Sequence, residues 1–215
     1  MKKFVMLSML VAILMGLLVQ LQAQPAPKGP GRGLEQVATI SGKVSEWTYN
    51  DDFIYDGLYL QTDQEKIFVK FPPHLGTQMR SAGEKLIVNG VFRYTPEGKQ
   101  ELKMVSIEGN GWTVYDQKPL PHTPSRETSI NGTAKVSQLQ LNKRGDVSGY
   151  ILENGTILRI PPHVAAQLSQ MVQTGSEIGY TGVEKTLKDG EVQVQNYKIV
   201  RCQTISINGT QYLVK

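Results

Sequence analysis

VKFPPHLG at 69–76 and LRIPPHVA at 158–165 share one unusual core: an apolar residue, then Pro-Pro-His, then another apolar residue. The first proline of each pair precedes a proline, which drives it into extended backbone and ends a strand. The second proline has its φ preset for a first helical position and has no N–H to leave unpaired. Downstream, Leu75, Met79 and Ala82 fall at i, i+4 and i+7, and Val164, Leu168, Met171 and Val172 at i, i+4, i+7 and i+8. Each set predicts the apolar face of a short helix. Gly83 and Gly175 stand where such helices stop. The repeated motif therefore reads as a strand-to-helix corner, made twice.

The surrounding sequence repeats in the same order. TISGKVSEW (39–47) matches SINGTAKVSQL (129–139), and DGLYLQT (56–62) matches VSGYILE (147–153). Then follow KIFVKFPPHL with TILRIPPHV, GEKLIVNGVFRY (83–94) with GSEIGYTGVEKT (175–186), and LKMVSIEGNGWTVYD (102–116) with NYKIVRCQTISINGTQYLV (196–214). A repeat of this length predicts two globular units rather than a solenoid. Between them, KPLPHTPSRET (118–128) has three prolines and no apolar period, the mark of a linker. QPAPKGPGRG (24–33) is a Pro/Gly-rich tether that extends to about residue 36. The expected units are 37–117 and 129–215.

Within each unit the order is strand, strand, strand, helix, strand, strand. Gly42 suits a bulge in a long, bent first strand. Asn154-Gly155 suits a two-residue hairpin turn with positive φ at both positions, joining strands two and three; the first unit has a longer turn at 62–66. The predicted fold class is all-β with one short helix per unit: two tandem five-stranded barrels of OB type. The run 149–156 (GYILENGT) with RIPPH at 159–163, and its variant at 57–74, resembles a group of poorly characterised secreted bacterial proteins with tandem OB-fold-like domains. The likeness covers about 37–214. It implies architecture and an envelope or exterior location, and no activity.

MKKFVMLSMLVAILMGLLVQLQA (1–23) has a charged start, an apolar stretch and a small residue at its end, the pattern of a secretory signal peptide; an uncleaved anchor is the competing reading. The expected location is periplasmic or secreted. The chain has 23 Lys+Arg against 19 Asp+Glu; Lys2 and Lys3 lie in the leader, so its removal lowers the net charge from +4 to +2. That balance argues against a life on phosphate backbones. The single cysteine, Cys202, excludes an intramolecular disulfide and sits in a strand-like run, where a small buried side chain is the expectation.

Catalytic patterns are missing. No Gly-x-Ser-x-Gly elbow is present, and Cys202 has no sequence-readable partner. His74 and His163 stand alone in each corner with His122 in the linker, too few for a metal site, so each is expected to bond local backbone. Asp51, Asp52, Asp56 and Asp63 do not have calcium-loop spacing and read as solvated turn acids. Asn-Gly-Thr at 131–133, 154–156 and 208–210 reads as turns. No enzyme activity, cofactor or metal is expected.

The informative feature is aromatic. Trp47, Tyr49, Phe53, Tyr55 and Tyr59 crowd the first loop and second strand, with Phe92, Arg93 and Tyr94 further on. In an OB barrel, the strand 2–3 face and the flanking loops bind ligand. The expected ligand groove is Trp47, Tyr49, Tyr55, Tyr59, Arg93 and Tyr94. Unit two replaces these with 139–145 in one loop and Lys185 and Lys188 in the other, so the units do different jobs or one alone binds. Three functions follow: binding a glycan or protein partner of the envelope, single-stranded nucleic-acid binding, or an adaptor with one partner per barrel.

Overall fold

The computed structural model describes residues 33–118, 127–142 and 145–215. The expected leader (1–23), most of the expected tether, residues 119–126 of the expected linker and loop residues 143–144 lie outside the described residues. Among the described residues, no helix is long and apolar enough to cross a membrane.

The first barrel runs β1 (Ala38–Tyr49), β2 (Tyr55–Gln61), β3 (Lys66–Lys70), a 3-10 turn (Pro73–Leu75) leading into α1 (Gly76–Arg80), β4 (Lys85–Tyr94) and β5 (Gln100–Gly109). The second runs β7 (Thr128–Leu141), β8 (Val147–Leu152), β9 (Thr156–Arg159), α2 (Pro162–Leu168), β10 (Glu177–Glu184) and β11 (Lys198–Ile207). In the first, the order β3-β2-β1-β4-β5 closes by a parallel β3–β5 pairing. The second closes the same way through β9–β11. Strand order, closure and helix position are those of the OB-fold.

Each barrel also has a sixth strand: β6 (Trp112–Tyr115) on β5, and β12 (Thr210–Leu213) on β11. The sequence reading joined each to the strand before it. The break is an Asn-Gly turn with both residues at positive φ, Asn110-Gly111 and Asn208-Gly209. That is the primed hairpin expected instead at 154–155. There only Gly155 has positive φ (77°), and the Asn154 side chain accepts a hydrogen bond from the Thr156 N–H. Asn131-Gly132-Thr133 is no turn either, since it lies inside β7. A Cβ on Gly132 would stand 2.7 Å from the Tyr180 hydroxyl.

The Pro-Pro-His corners form as the sequence dictates. Pro72 and Pro161 are extended (ψ 131° and 139°), and Pro73 and Pro162 open the helical turns. Leu75, Met79 and Ala82 are buried with Leu58, Leu60, Phe71 and Leu102; Leu168 and Val172 are buried with Tyr150, Leu152 and Leu158. Met171 departs from the expected face and is 40% exposed, because α2 ends at Leu168. Gly83 and Gly175 follow the helices at φ 81° and 88°.

The histidines have a use the sequence did not disclose. His74 Nε2 donates to the Gln117 carbonyl at 2.9 Å, and His163 Nε2 to the Lys215 carbonyl at 2.9 Å. Each partner is backbone, as expected, but it is remote rather than local. Each lies two residues past the sixth strand of its own barrel.

The first-strand bulges fall at Ser45 and Ser137 rather than at Gly42. Both serine hydroxyls donate across to strand two, onto the Tyr59 and Ile151 carbonyls. Gly42 answers a different need: a Cβ there would lie 2.5 Å from the Gln61 carbonyl oxygen. Cys202 is buried as expected; burial pushes its thiol up to about 12, and Sγ donates to the Thr204 carbonyl. The Tyr150 hydroxyl is likewise pushed up to about 12, by burial first and by the neighbouring Cys202 second.

Candidate functional site

The outer face of β2 and β3 is set by alternation. With Leu58, Leu60 and Val69 turned into the barrel, Tyr59, Lys66, Phe68 and Lys70 face out. Tyr59 and Phe68 are register partners, and their rings stand 5.3 Å apart at 47°. Lys66 Nζ lies 4.3 Å over the Tyr59 ring and 2.7 Å from Glu46. At the other end of the row, Lys70 pairs with the buried Asp56. A bulge between Thr48 and Tyr49 brings Asp56 to this side.

Gly57 seats the platform. A Cβ at this position would be 2.5 Å from Thr48 Oγ1 and 2.7 Å from Phe68 Cε2, so the Phe68 ring lies against bare backbone. Gly57→Ala is expected to lift that ring off the sheet at a cost of about 1 kcal/mol in stability, since a flexible side chain yields before the barrel does. The measurement is a melt, together with the aromatic NMR shifts of Phe68. Unchanged shifts would show that the glycine does not set the ring.

The face opens into a cleft of about 660 Å³. Its walls are Thr48, Tyr49, Asn50, Asp51, Asp52 and Asp56 of the first barrel and Ser148 and Arg159 of the second. Residues 36–215 form one compact unit, so the second barrel is part of the site.

The seam between barrels is made by two loops. Loop 50–54 of the first barrel is tightened by Asn50, whose Oδ1 accepts the Asp52 and Ile54 N–H groups. Its carbonyl accepts the Phe53 N–H, holding Phe53 at φ 57°. A bulky residue adopts positive φ only where its surroundings hold it there. The Phe53 ring packs between Tyr49 (5.3 Å) and Tyr197 of the second barrel (4.7 Å). Ile54 is buried and bridges to Gln193. The long β10–β11 loop returns the contact: Tyr55 N–H donates to the Val192 carbonyl, Val194 N–H to Phe53, and Thr77 N–H to Gly190.

Asp52 is the polar centre of this seam. Arg159 Nε donates to its Oδ1 at 2.7 Å; Arg159 Nη2 is also 2.7 Å from Oδ1, an ion pair without hydrogen-bond geometry. Lys185 donates to Oδ2, and Arg159 Nη1 to Gln140 Oε1 at 2.9 Å. Gln140 in turn donates to the Asp51 carbonyl. Burial by itself raises the Asp52 carboxyl; the Lys185 hydrogen bond and the charges of Arg159 and Lys185 outweigh it and hold the group below the usual carboxylate range. Of the four acids expected to be solvated, Asp52 is thus partly buried and Asp56 buried, and both are paired; Asp51 and Asp63 are exposed.

Gln140, Ser148 and Arg159 come from β7, β8 and β9, the strands that carry the ligand face in an OB barrel. In the second barrel this end of that face is covered by loop 50–54 of the first. Lys185, expected at a ligand loop, is spent on Asp52. Beyond the Asp52–Arg159 pair lies a second cavity of about 430 Å³, lined also by Lys185, Glu127 and Arg201, of which the last two pair at 3.0 Å.

Of the six residues expected in the groove, Tyr49 and Tyr59 line the cleft. Trp47 and Tyr55 do not: their rings meet edge-to-face at 5.9 Å, Trp47 leans on the buried Phe71, and Arg80 of α1 lies 5.0 Å over both. Arg93 and Tyr94 sit at the far end of β4, paired with Glu101 and Gln100, and do not line the cleft. The sequence reading missed Phe68, Lys70 and Arg159. Phe68 had a readable signal, the Lys66-Ile67-Phe68-Val69-Lys70 alternation. Among the described residues, no three His, Cys, Asp or Glu side chains gather to hold a metal ion.

No family model matches the chain, and no curated protein matches it. Among solved structures, it is similar to a deletion mutant of the single-stranded DNA binding protein from Thermus aquaticus. That match is 13% identical, covers 84% of this chain and 97% of that chain, and has a TM-score of 0.25.

Proposed function

We propose that this is a non-catalytic binding protein whose ligand is a glycan strand, held in the cleft over the outer face of the first barrel. The reading rests on one observation: the Tyr59–Phe68 platform lies in a cleft whose cations, among the described residues, are each paired with a carboxylate. Lys70 is paired with Asp56 and Arg159 with Asp52, and Lys66 beside them with Glu46. Aromatic faces in a concave, hydrogen-bonding cleft suit sugar rings, which offer apolar faces and hydroxyl rims. A phosphate backbone would have to break these ion pairs before releasing its own counterions. The leader-like start of the sequence adds an exported location to the proposal, where envelope glycans are the polymers at hand.

A second reading is single-stranded nucleic-acid binding on the same face. The barrel topology and the interleaving of Lys66, Phe68 and Lys70 favour it, since bases stack on such platforms.

Calorimetric titration with a neutral hexasaccharide and with a single-stranded oligonucleotide, each at low and moderate salt, separates the two. The expected result is saccharide binding that salt hardly changes. Phe68→Ala is expected to weaken it at least ten-fold, in line with about 1–3 kcal/mol per stacked ring. Oligonucleotide binding that falls steeply with salt, with no saccharide binding, would give the site to nucleic acid.

A further inference from the structure

Resting on the glycan reading, we propose that the first barrel carries a second saccharide site, centred on Trp112, so that the chain holds two glycan strands at once. Trp112 opens β6, directly after the Asn110-Gly111 turn that folds this strand back on β5. Two clefts meet at Trp112 and Thr113. One, of about 580 Å³, has a register row for its floor: Ser41, Ile87, Glu108 and Thr113, on the neighbouring strands β1, β4, β5 and β6. The other, of about 380 Å³, lies against α1 and is walled by Thr77, Gln78 and Ser81. The indole is half-buried, packed on the barrel core with its remaining surface left to the clefts. Tryptophan suits such a place because it joins a large apolar face to a polar edge. Around it stand the hydroxyls of Ser41, Thr77, Ser81 and Thr113 and the Gln78 amide. Among the described residues, the charged groups of both clefts are Lys85 and Glu108, one of each sign. An aromatic face inside an uncharged hydrogen-bonding rim fits a neutral sugar.

The second barrel shows that closing the fold does not call for an aromatic here. Trp112 pairs with Gly109 as Thr210 pairs with Ile207, each directly after its Asn-Gly turn, and Thr210 is exposed. A cleft of about 420 Å³ stands at that corner too, lined by Thr133, Ser206, Asn208 and Gly209 and, among the described residues, by no aromatic. The fold therefore supplies the cleft in both barrels, and only the first sets an indole in it. The turn that presents the indole is held. A Cβ on Gly83, the glycine that stops α1, would lie 2.5 Å from Asn110 Nδ2, so the turn is packed on the end of the helix. Among the described residues, the Trp112 clefts share no lining residue with the Tyr59–Phe68 cleft. A strand in one does not occupy the other.

The two sites can be read separately. Trp47 packs with Tyr55, Phe71 and Arg80 and lines none of these clefts, so tryptophan emission follows Trp112 while calorimetry counts both sites. The probe is the hexamer of N-acetylglucosamine, on the full chain. The native chain is expected to take up about two hexamers, the mark of two independent sites. Phe68→Ala, which leaves Trp112 untouched, should keep about one, with the same midpoint in tryptophan emission as the native chain. Trp112→Leu preserves apolar packing and is expected to weaken its own site about ten-fold or more while the Phe68 site is unchanged. A single hexamer per chain, lost in Phe68→Ala and without effect on tryptophan emission, would overturn this inference and leave the glycan reading standing. A single hexamer that shifts tryptophan emission and is indifferent to Phe68→Ala would keep the Trp112 site and overturn the Tyr59–Phe68 one, and with it the holding of two strands. No uptake at all would overturn both.

Discussion

Replacing Gly190 by alanine is expected to lower the melting temperature by about 6–12 °C and to let the two barrels swing apart. Gly190 lies at φ 81° in the β10–β11 loop, where the loop touches the Pro-Pro-His corner of the first barrel. A Cβ there would fall 1.9 Å from the His74 carbonyl oxygen and 2.9 Å from its carbon. Both are backbone atoms of a segment pinned by two prolines, and Thr77 holds Gly190 from the other side through its N–H at 2.9 Å and its hydroxyl at 3.3 Å. Neither partner can yield, so the loop must lift. It takes with it the Tyr55–Val192 and Val194–Phe53 hydrogen bonds and the Phe53–Tyr197 contact. Left-handed strain in a non-glycine residue costs about 1–2 kcal/mol, and the lost docking brings the total to about 3 kcal/mol. At about 2–4 °C per kcal/mol for a chain of this size, that gives the stated shift. Gly98→Ala is the control. Gly98 has a similar φ of 77° in the corresponding loop of the first barrel, with nothing within 4 Å of an added Cβ. Equal melting shifts for the two variants, with an unchanged radius of gyration, would show that the Gly190 contact does not hold the barrels together.

That contact shows where the sequence could be read and where it could not. The Pro-Pro-His corners, the buried stripe at 75, 79 and 82 and the glycines that stop the helices were legible because each is fixed by its own few residues. Trp47 is expected in the groove only because it stands among the aromatics that crowd the first loop and second strand. The bulge at Ser45 shifts the register of β1, and Trp47 packs with Arg80 of α1 instead. One extra residue changes which side chains share a face, and nothing in the local residue pattern announces it. The sixth strands were hidden for a related reason: GNGW and INGT carry the hairpin glycine, but so do the in-strand NGT at 131–133 and the different turn at 153–155. Asp52 was least legible. Its partners Arg159 and Lys185 lie 107 and 133 residues away, so a turn acid and a salt-bridge centre look the same from the sequence.

Asp52 also sets how the seam responds to acid. Its folded-state carboxyl titrates below the ordinary value near 3.9 that the unfolded chain keeps. The pairing therefore contributes fully above that value and is lost as the pH falls through the folded one. Protonating Asp52 takes the counter-ion from both Arg159 and Lys185 at the seam. Asp52→Asn imposes that state at every pH. It is expected to cost about 2 kcal/mol near neutrality, below the 3–5 kcal/mol of a fully buried pair because both ionic side chains of the Asp52–Arg159 pair remain about one-fifth exposed. As the pH falls from about 5 through the folded-state value, the native chain should lose stability faster than Asp52→Asn, until the two coincide. Denaturant titrations of both chains across that range measure the gap. A gap that stays constant as the pH falls would assign the cost to packing of the loop rather than to charge. The Asp52→Asn/Arg159→Gln cycle makes the same distinction near neutral pH, with an expected coupling of about 1–2 kcal/mol. Since Asp52 and Arg159 line both cavities, loss of the pair should join the cleft of the first barrel to the cavity beside Lys185 and Arg201. It should also uncover the Gln140–Ser148–Arg159 face of the second barrel, and a ligand that binds more tightly to Asp52→Asn than to the native chain would be one that uses both barrels.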